Sequence, residues 1–431
     1  MPNISDIELQ RLKQAVEELT SLNQIANAVN VSMKVDTITQ SILDHCLKRV
    51  GAVQGAVFLL QQGDMGSTGD FKTFVREFTP DTQGIPLRLN LSLTGWMVKN
   101  RAVLVCNSPM TDERFRGIDF SQLGMTSLLA APLMARTGLI GVLALFNKKS
   151  PDGFTDNDKR FLAIVGVQTA QVIENARLFE KEQQFRVVEE ELKLAHSIQQ
   201  GFLPKQSFVT DSVDIFGANI PAKEVGGDFF DVFKVDDRRF FISVGDVSGK
   251  GMPASLLMAN AQAVLRSQLS LGGEIDVAQM ADRLNRLICQ FARPGQFLTA
   301  LFGVIDLNKN AFEFVNAGHL VPLFLTDKGE VSSHDDADLL VGVLPDCPYR
   351  VQTVPLQGIN AICLYSDGVT EANNDKEEMF GDDRFIAAYA ASVQPTSQEW
   401  VDNLLLQVDK WVGKQAPSDD ITVLIARLIG K

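Results

Sequence analysis

The sequence predicts an α+β chain of two domains joined by a long helix, and three observations lead to that class. At 431 residues the chain exceeds one ordinary domain, so two domains and a connector are expected. Its first part runs helix, strands, helix, strands, helix, and its second part holds several apolar strands that end in aspartate. Between them, residues 158 to 202 contain no proline and only Gly166 and Gly201, enough for one helix of about ten turns or more.

In chain order, Ile7, Leu9, Leu12, Val16, Leu19 and Leu22 recur at helical spacings opposite a charged face and predict an amphipathic entry helix. A second helix follows over about 35–49. Strand-like segments are read at 55–60, 71–78 and 85–90, then a short helix at 94–100 and apolar segments at 102–106 and 127–134. A last strand at 138–147 leads through Pro151-Asp152-Gly153 to the long helix, which begins near Thr155. Phe161, Leu162, Ile164, Val165 and Ile173 give its first half a broad apolar face that should pack on the first domain. After Ala176 the pattern narrows to Leu178, Phe185, Val188, Leu192, Ala195, Gln199 and Phe202, a heptad seam that predicts a parallel homodimer through 178–202. Lys181 and Gln199 are weak positions for such a seam, and the alternative is a single helix packing on its own domains. Leu203-Pro204 ends the helix by removing an amide donor.

Past the helix, segments 229–235 and 239–244 flank Asp236-Asp237 in a hairpin pattern. The return brings Asp228, beside Gly226-Gly227, and Asp246, after Gly245, to one end of the sheet. Two further apolar strands carry acids at their ends: 361–366 runs into Asp367-Gly368, and Asp419-Asp420 precede 421–426. Four carboxylate stations without a Cys or His cluster suit Mg²⁺ or Mn²⁺ and argue against zinc.

Composition bounds the class of function. A net charge of −13 with 45% hydrophobic residues describes an acidic protein and argues against nonspecific nucleic-acid binding. Cys46, Cys106, Cys289, Cys347 and Cys363 show no paired spacing, which fits a reducing cytoplasm. MPNISDIELQRLKQ lacks the pattern of a signal peptide, and the apolar run 128–146 is broken at 136–138 by a turn, so no membrane span is expected.

The pieces PAKEVGGDFFD (221–231), GDVSGKGMPA (245–254), FLTALFGVID (297–306), NAGH (316–319), LYSDGVTEA (364–372), FGDDRF (380–385) and SDDITVLIA (418–426) resemble, in order, the bacterial SpoIIE-like branch of the metal-dependent PPM-type serine/threonine protein phosphatases. That resemblance implies an α/β/β/α sandwich and phosphoester hydrolysis by metal-activated water. It implies that Asp228, Asp246, Asp367 and Asp419 hold two divalent cations, Mn²⁺ or Mg²⁺, with Asp246 bridging them and the Val247 carbonyl contributing; Asp420 is the alternative to Asp419. Its usual substrate is a phosphorylated STAS-domain antagonist of an anti-sigma factor. Lys223 is a candidate for holding the substrate phosphate, while Asp231 and Glu371 are candidates for orienting the ligands. His319 reads as a hydrogen-bonded turn residue. Gly249-Lys250-Gly251 lacks the spacing of a phosphate loop.

The first part, with LTGWMVKNRAVLVCN (93–107), DERF (112–115) and GVLALFNKK (141–149), resembles a GAF domain, which implies an unidentified small-molecule ligand. Asn147-Lys148, Phe154 and Asp158 resemble the NKFDE motif of cyclic-nucleotide-binding members, but Lys159 replaces the glutamate; the plainer reading is that they tie the last strand to the helix. The expected organisation is an N-terminal helix (1–19), a GAF sensor (20–175), a helical linker (176–204) and a phosphatase domain (205–431). Two rivals are a catalytically silent partner-binding scaffold and a cyclic-nucleotide receptor.

Overall fold

The computed structural model describes residues 35–60, 71–76, 87–116, 124–270, 273–415 and 417–429. The expected entry helix over residues 7–22 lies outside them. The chain divides into two compact units at Val187/Val188.

In the first unit, α1 (Val35–Val50) precedes β1 (Ala52–Leu60) and β2 (Phe71–Arg76); α2 (Leu87–Asn100), β3 (Leu104–Cys106), β4 (Leu128–Ala135) and β5 (Gly138–Lys148) follow. The strands form one antiparallel sheet in the order β2-β1-β5-β4-β3. One side of the sheet is covered by Ile42, Leu43 and Cys46 of α1 and by Leu162, Val165 and Ile173 of α3 (Asp156–Phe202). On the other, Leu93 and Met97 of α2 pack against Phe58, Leu128 and Phe146. The strand read at 85–90 is a correction: α2 already begins at Leu87. The alternation LRLNLSL satisfies a strand's period of two, but leucine is a strong helix former, and among the described side chains of α2 Leu93 and Met97, four apart, are buried.

Asn147, Lys148, Phe154 and Asp158 act together as a tie. Asn147, at φ 59°, accepts the Thr126 amide at 2.8 Å and donates to the Gly124 carbonyl. Lys148 Nζ reaches the Val50 carbonyl at 2.6 Å and Asp158 at 2.8 Å, linking the end of β5 to the first turn of α3.

The second unit contains the last turns of α3, then β6 (Phe208–Val209), β7 (Val213–Ile220), β8 (Phe229–Lys234), β9 (Arg239–Val247), α4 (Met252–Ser270), α5 (Val277–Phe291), β10 (Leu298–Asp306), β11 (Ala311–Ala317), β12 (Leu323–Thr326), β13 (Val331–Ser333), β14 (Gln352–Pro355), β15 (Ile359–Tyr365), α6 (Asp367–Thr370), α7 (Asp382–Ala391), α8 (Ser397–Val412) and β16 (Ile421–Leu428). They make two antiparallel sheets, β14-β11-β10-β9-β8 and β13-β12-β15-β16-β7-β6. Phe302, Phe314, Ile362 and Leu424 belong to one continuous core with Leu257 and Leu265 of α4 and Leu284 of α5. A separate core of Tyr365, Phe385, Tyr389, Trp400 and Leu404 joins α7 and α8 to the second sheet, completing the α/β/β/α sandwich.

On α4, Leu256 is 63% exposed, while Leu257, Met258, Ala261 and Gln262 are buried. Gln199, read as a weak heptad position, is buried against the second unit's own backbone. Leu178, Phe185 and Val188 are exposed.

Candidate metal centre

The site grows from strand ends. Register fixes two of its members: β8 pairs with β9 so that Phe229 lies opposite Gly245, which sets Asp228 and Asp246 side by side at the mouth of the first sheet. The second sheet supplies the others, since β15 and β16 are neighbours and Tyr365 pairs with Val423, bringing Ser366-Asp367 and Asp419-Asp420 to one edge.

Asp228 is buried, and its Oδ2 accepts the Thr422 hydroxyl at 2.6 Å. Burial, and then repulsion from Asp246, hold its carboxyl well above the usual range. Asp246 is pushed up to about 6 by burial and next by Asp367. Burial also raises Asp367, with Asp419 adding to it, and Glu371 rises through burial, Asp367 and Asp419. These directions describe acids, buried in whole or in part, that crowd one another.

The adjacent acids of 419–420 separate by surroundings. Asp420 is 8% exposed, with Oδ1 accepting the Ala222 amide at 2.8 Å and Oδ2 accepting those of Gly227 at 2.7 Å and Asp228 at 3.3 Å. It braces the loop that carries Asp228. Asp419 is more open, and its Oδ2 meets Lys250 Nζ at 2.7 Å. The double glycine of this loop is a matter of space: a Cβ on Gly226 would sit 2.2 Å from Asp420 Oδ2, and one on Gly227 would sit 2.7 Å from the Val247 carbonyl.

Other candidates fall outside the cluster. Asp231 is buried but faces the other way, paired with Arg266 at 2.5 Å and with Gln262, and both of those side chains also donate to the Phe202 carbonyl at the end of α3. Lys223 is exposed. His319 lies between the sheets: Nδ1 meets Thr299 Oγ1 at 2.8 Å, and Nε2 meets the Tyr365 carbonyl at 3.1 Å. Thr299 is the cross-strand partner of Asp246, so this imidazole, lowered to about 4 by burial and therefore neutral, ties the Asp246 strand to the one leading into Asp367.

Two contributors were not legible as site residues in the sequence. Gln199 donates to the Gly226 carbonyl at 2.7 Å and accepts the Gly226 amide at 3.1 Å, two positions before Asp228. Its place as a polar residue in a largely apolar heptad pattern was the only signal in the sequence. Lys250, inside a glycine turn, is the second.

The donor set is entirely oxygen and crowded with negative charge, which fits hard divalent ions. Among the described residues no three carboxylate, imidazole or thiolate groups already surround one point closely enough to coordinate an ion, so the acids form a cluster rather than a finished cage. A cleft of about 400 Å³ adjoins it, lined by Gly368, Met379, Val412, Pro417, Asp419 and Ile421.

Two helix-flanked antiparallel sheets with acids from separate strand ends converging at one edge define the class, a PP2C-type (PPM) phosphatase domain. Family comparison agrees: residues 236–429 match Stage II sporulation protein E (SpoIIE), and residues 32–174 match the GAF domain. The chain is 27% identical over 256 residues to phosphoserine phosphatase RsbU of Bacillus subtilis, covering 58% of this chain and 74% of RsbU. It is 27% identical over 192 residues to phosphoserine phosphatase RsbP of the same organism, covering 44% of this chain and 47% of RsbP. The solved SiaA-PP2C domain of Pseudomonas aeruginosa is similar at 23% identity with a TM-score of 0.49, covering 57% of this chain and 98% of that one. The chain joins a GAF domain to a SpoIIE-type PP2C domain. Among the described residues no helix is long and apolar enough to cross a membrane.

Proposed function

We propose that this chain, a PPM-type serine/threonine phosphatase, removes phosphate from phosphoserine or phosphothreonine of a regulatory partner protein in the cytoplasm, under control of its GAF domain and an unidentified ligand there. The partner of this reading is a phosphorylated STAS-domain antagonist of an anti-sigma factor, the substrate that the SpoIIE-like resemblance implies, and the likeness to two phosphoserine phosphatases supports a phosphoserine on it. The carrying observation is the convergence of Asp228, Asp246, Asp367 and Asp419, each from a different strand end, with Asp228, Asp246 and Asp367 raised by burial and mutual repulsion.

In this reading those four acids and the Val247 carbonyl hold two divalent cations, Mn²⁺ or Mg²⁺. Bound there, the cations supply the Lewis acidity that readies water and offsets phosphoryl charge. The protein's own part is positioning. Asp420 fixes the loop under Asp228, Thr422 holds one Asp228 oxygen, and His319 couples the two sheets on either side of the acids. The cleft beside Asp419 supports a substrate with bulk beyond the phosphate itself. Exposed Leu178, Phe185 and Val188 support a homodimer through 178–202.

The test is phosphate release from a phosphoserine peptide by full-length protein. Release should require Mn²⁺, stop in EDTA and return when Mn²⁺ is restored. Asp246→Asn should slow it at least about a hundredfold, as expected when several kcal/mol of charge stabilisation is lost, with an unchanged circular dichroism spectrum. Hydrolysis that persists in EDTA, or a wild-type rate in Asp246→Asn, would overturn the reading.

A further inference from the structure

We infer that Lys250 is a phosphate-binding residue of this site: its ammonium, seated at the rim of the acid cluster by Asp419 and the Ser418 carbonyl, receives a phosphoryl oxygen of the incoming phosphoserine. The inference rests on the phosphatase reading above and names a residue for it that the spacing of Gly249-Lys250-Gly251 alone did not.

The backbone points to a purpose for this turn. Gly249 at φ 92° and Gly251 at φ 78° both occupy the left-handed region, and a Cβ on either would meet nothing within 4 Å. They are glycines for conformation, not for packing. The turn sends Lys250 from the end of β9, four residues past Asp246, across to the start of β16, where Nζ lies 2.6 Å from the Ser418 carbonyl and 2.7 Å from Asp419 Oδ2. An ammonium has three donors, and these contacts use two. The side chain is 42% exposed, so the third is open to solvent and to an acceptor arriving from it.

Charge gives the same answer. A phosphomonoester carries about −1.5 to −2 near neutral pH and approaches a rim of carboxylates that repel it. The charge of Lys250 acts on Asp367 and Glu371 as well as on Asp419. It therefore places a positive charge on the path of a phosphate approaching that rim. Lysine serves as a point charge, without the planar fork that would demand a fixed approach.

A lysine that merely fastened the 418–419 turn would leave a different signature, and three measurements on full-length protein separate the two roles. Calorimetry with Mn²⁺ alone should give Lys250→Gln an affinity equal to or tighter than wild type, because Asp419 loses a competing partner. Titration of the Mn²⁺-loaded protein with inorganic phosphate should show binding weakened by about tenfold to a hundredfold, the value of one charge-assisted hydrogen bond. KM for a phosphoserine peptide should rise in parallel with kcat held within about threefold, and Lys250→Arg should restore most of the phosphate affinity. Unchanged phosphate affinity and KM in Lys250→Gln, or a loss fully accounted for by weaker Mn²⁺ binding, would overturn the inference. Should wild type bind phosphate through Lys250 yet hydrolyse no phosphopeptide, the phosphatase reading would fail and the Lys250 assignment would stand.

Discussion

Asp419 and Asp420 are neighbours with opposite surroundings, and substitution should separate them. Asp420→Asn puts an amide where the carboxylate now accepts backbone N–H groups from Ala222, Gly227 and Asp228. Leaving such buried donors unmatched should cost about 2–4 kcal/mol in urea unfolding of the second domain. Asp419→Asn, at a more open position paired with Lys250, should unfold close to wild type and lose Mn²⁺ binding by calorimetry. The reverse pattern would exchange their roles. The four acid stations were legible in the sequence because each sits beside glycine or at the edge of an apolar strand. The doublet was not, since Asp420's partners lie nearly two hundred residues upstream and adjacent residues share every local signal. Asp231 misled for a related reason: alternation along β8 turns it away from Asp228, toward Arg266.

At the scale of elements, the last turns of α3 carry the most information. Heptad spacing made Gln199 look like a flaw in an apolar seam; in the fold it clasps both the N–H and the C=O of Gly226. A periodicity rule scores a polar residue by what it fails to pack against and has no view of a backbone it hydrogen-bonds. Gln199→Leu improves the seam and strips both bonds, each worth about 0.5–1.5 kcal/mol. Hydrogen exchange at the Gly226 amide should therefore accelerate about tenfold, while amides of β10 keep wild-type protection; unchanged exchange at Gly226 would mean that the contact does not hold the loop. Most strands and helices were legible from period and punctuation. The exception at 85–90 arose where leucines alternate, a pattern that both element types can satisfy and that helix propensity decided.

For the whole molecule, the order of parts is a GAF domain, an uninterrupted helix from Asp156 to Phe202 and a PP2C-type domain whose acidic loop the end of that helix touches. Charge fits this plan, since part of the net −13 is concentrated in the acid cluster. Every functional statement depends on carboxylates from four strand ends holding hard cations at one place. The most direct measurement is anomalous diffraction at the manganese edge from crystals of the full-length protein soaked in Mn²⁺. Strong peaks among Asp228, Asp246, Asp367 and Asp419, with Asp420 still on its backbone amides, are the predicted result; a map with no manganese between those four side chains would contradict the account.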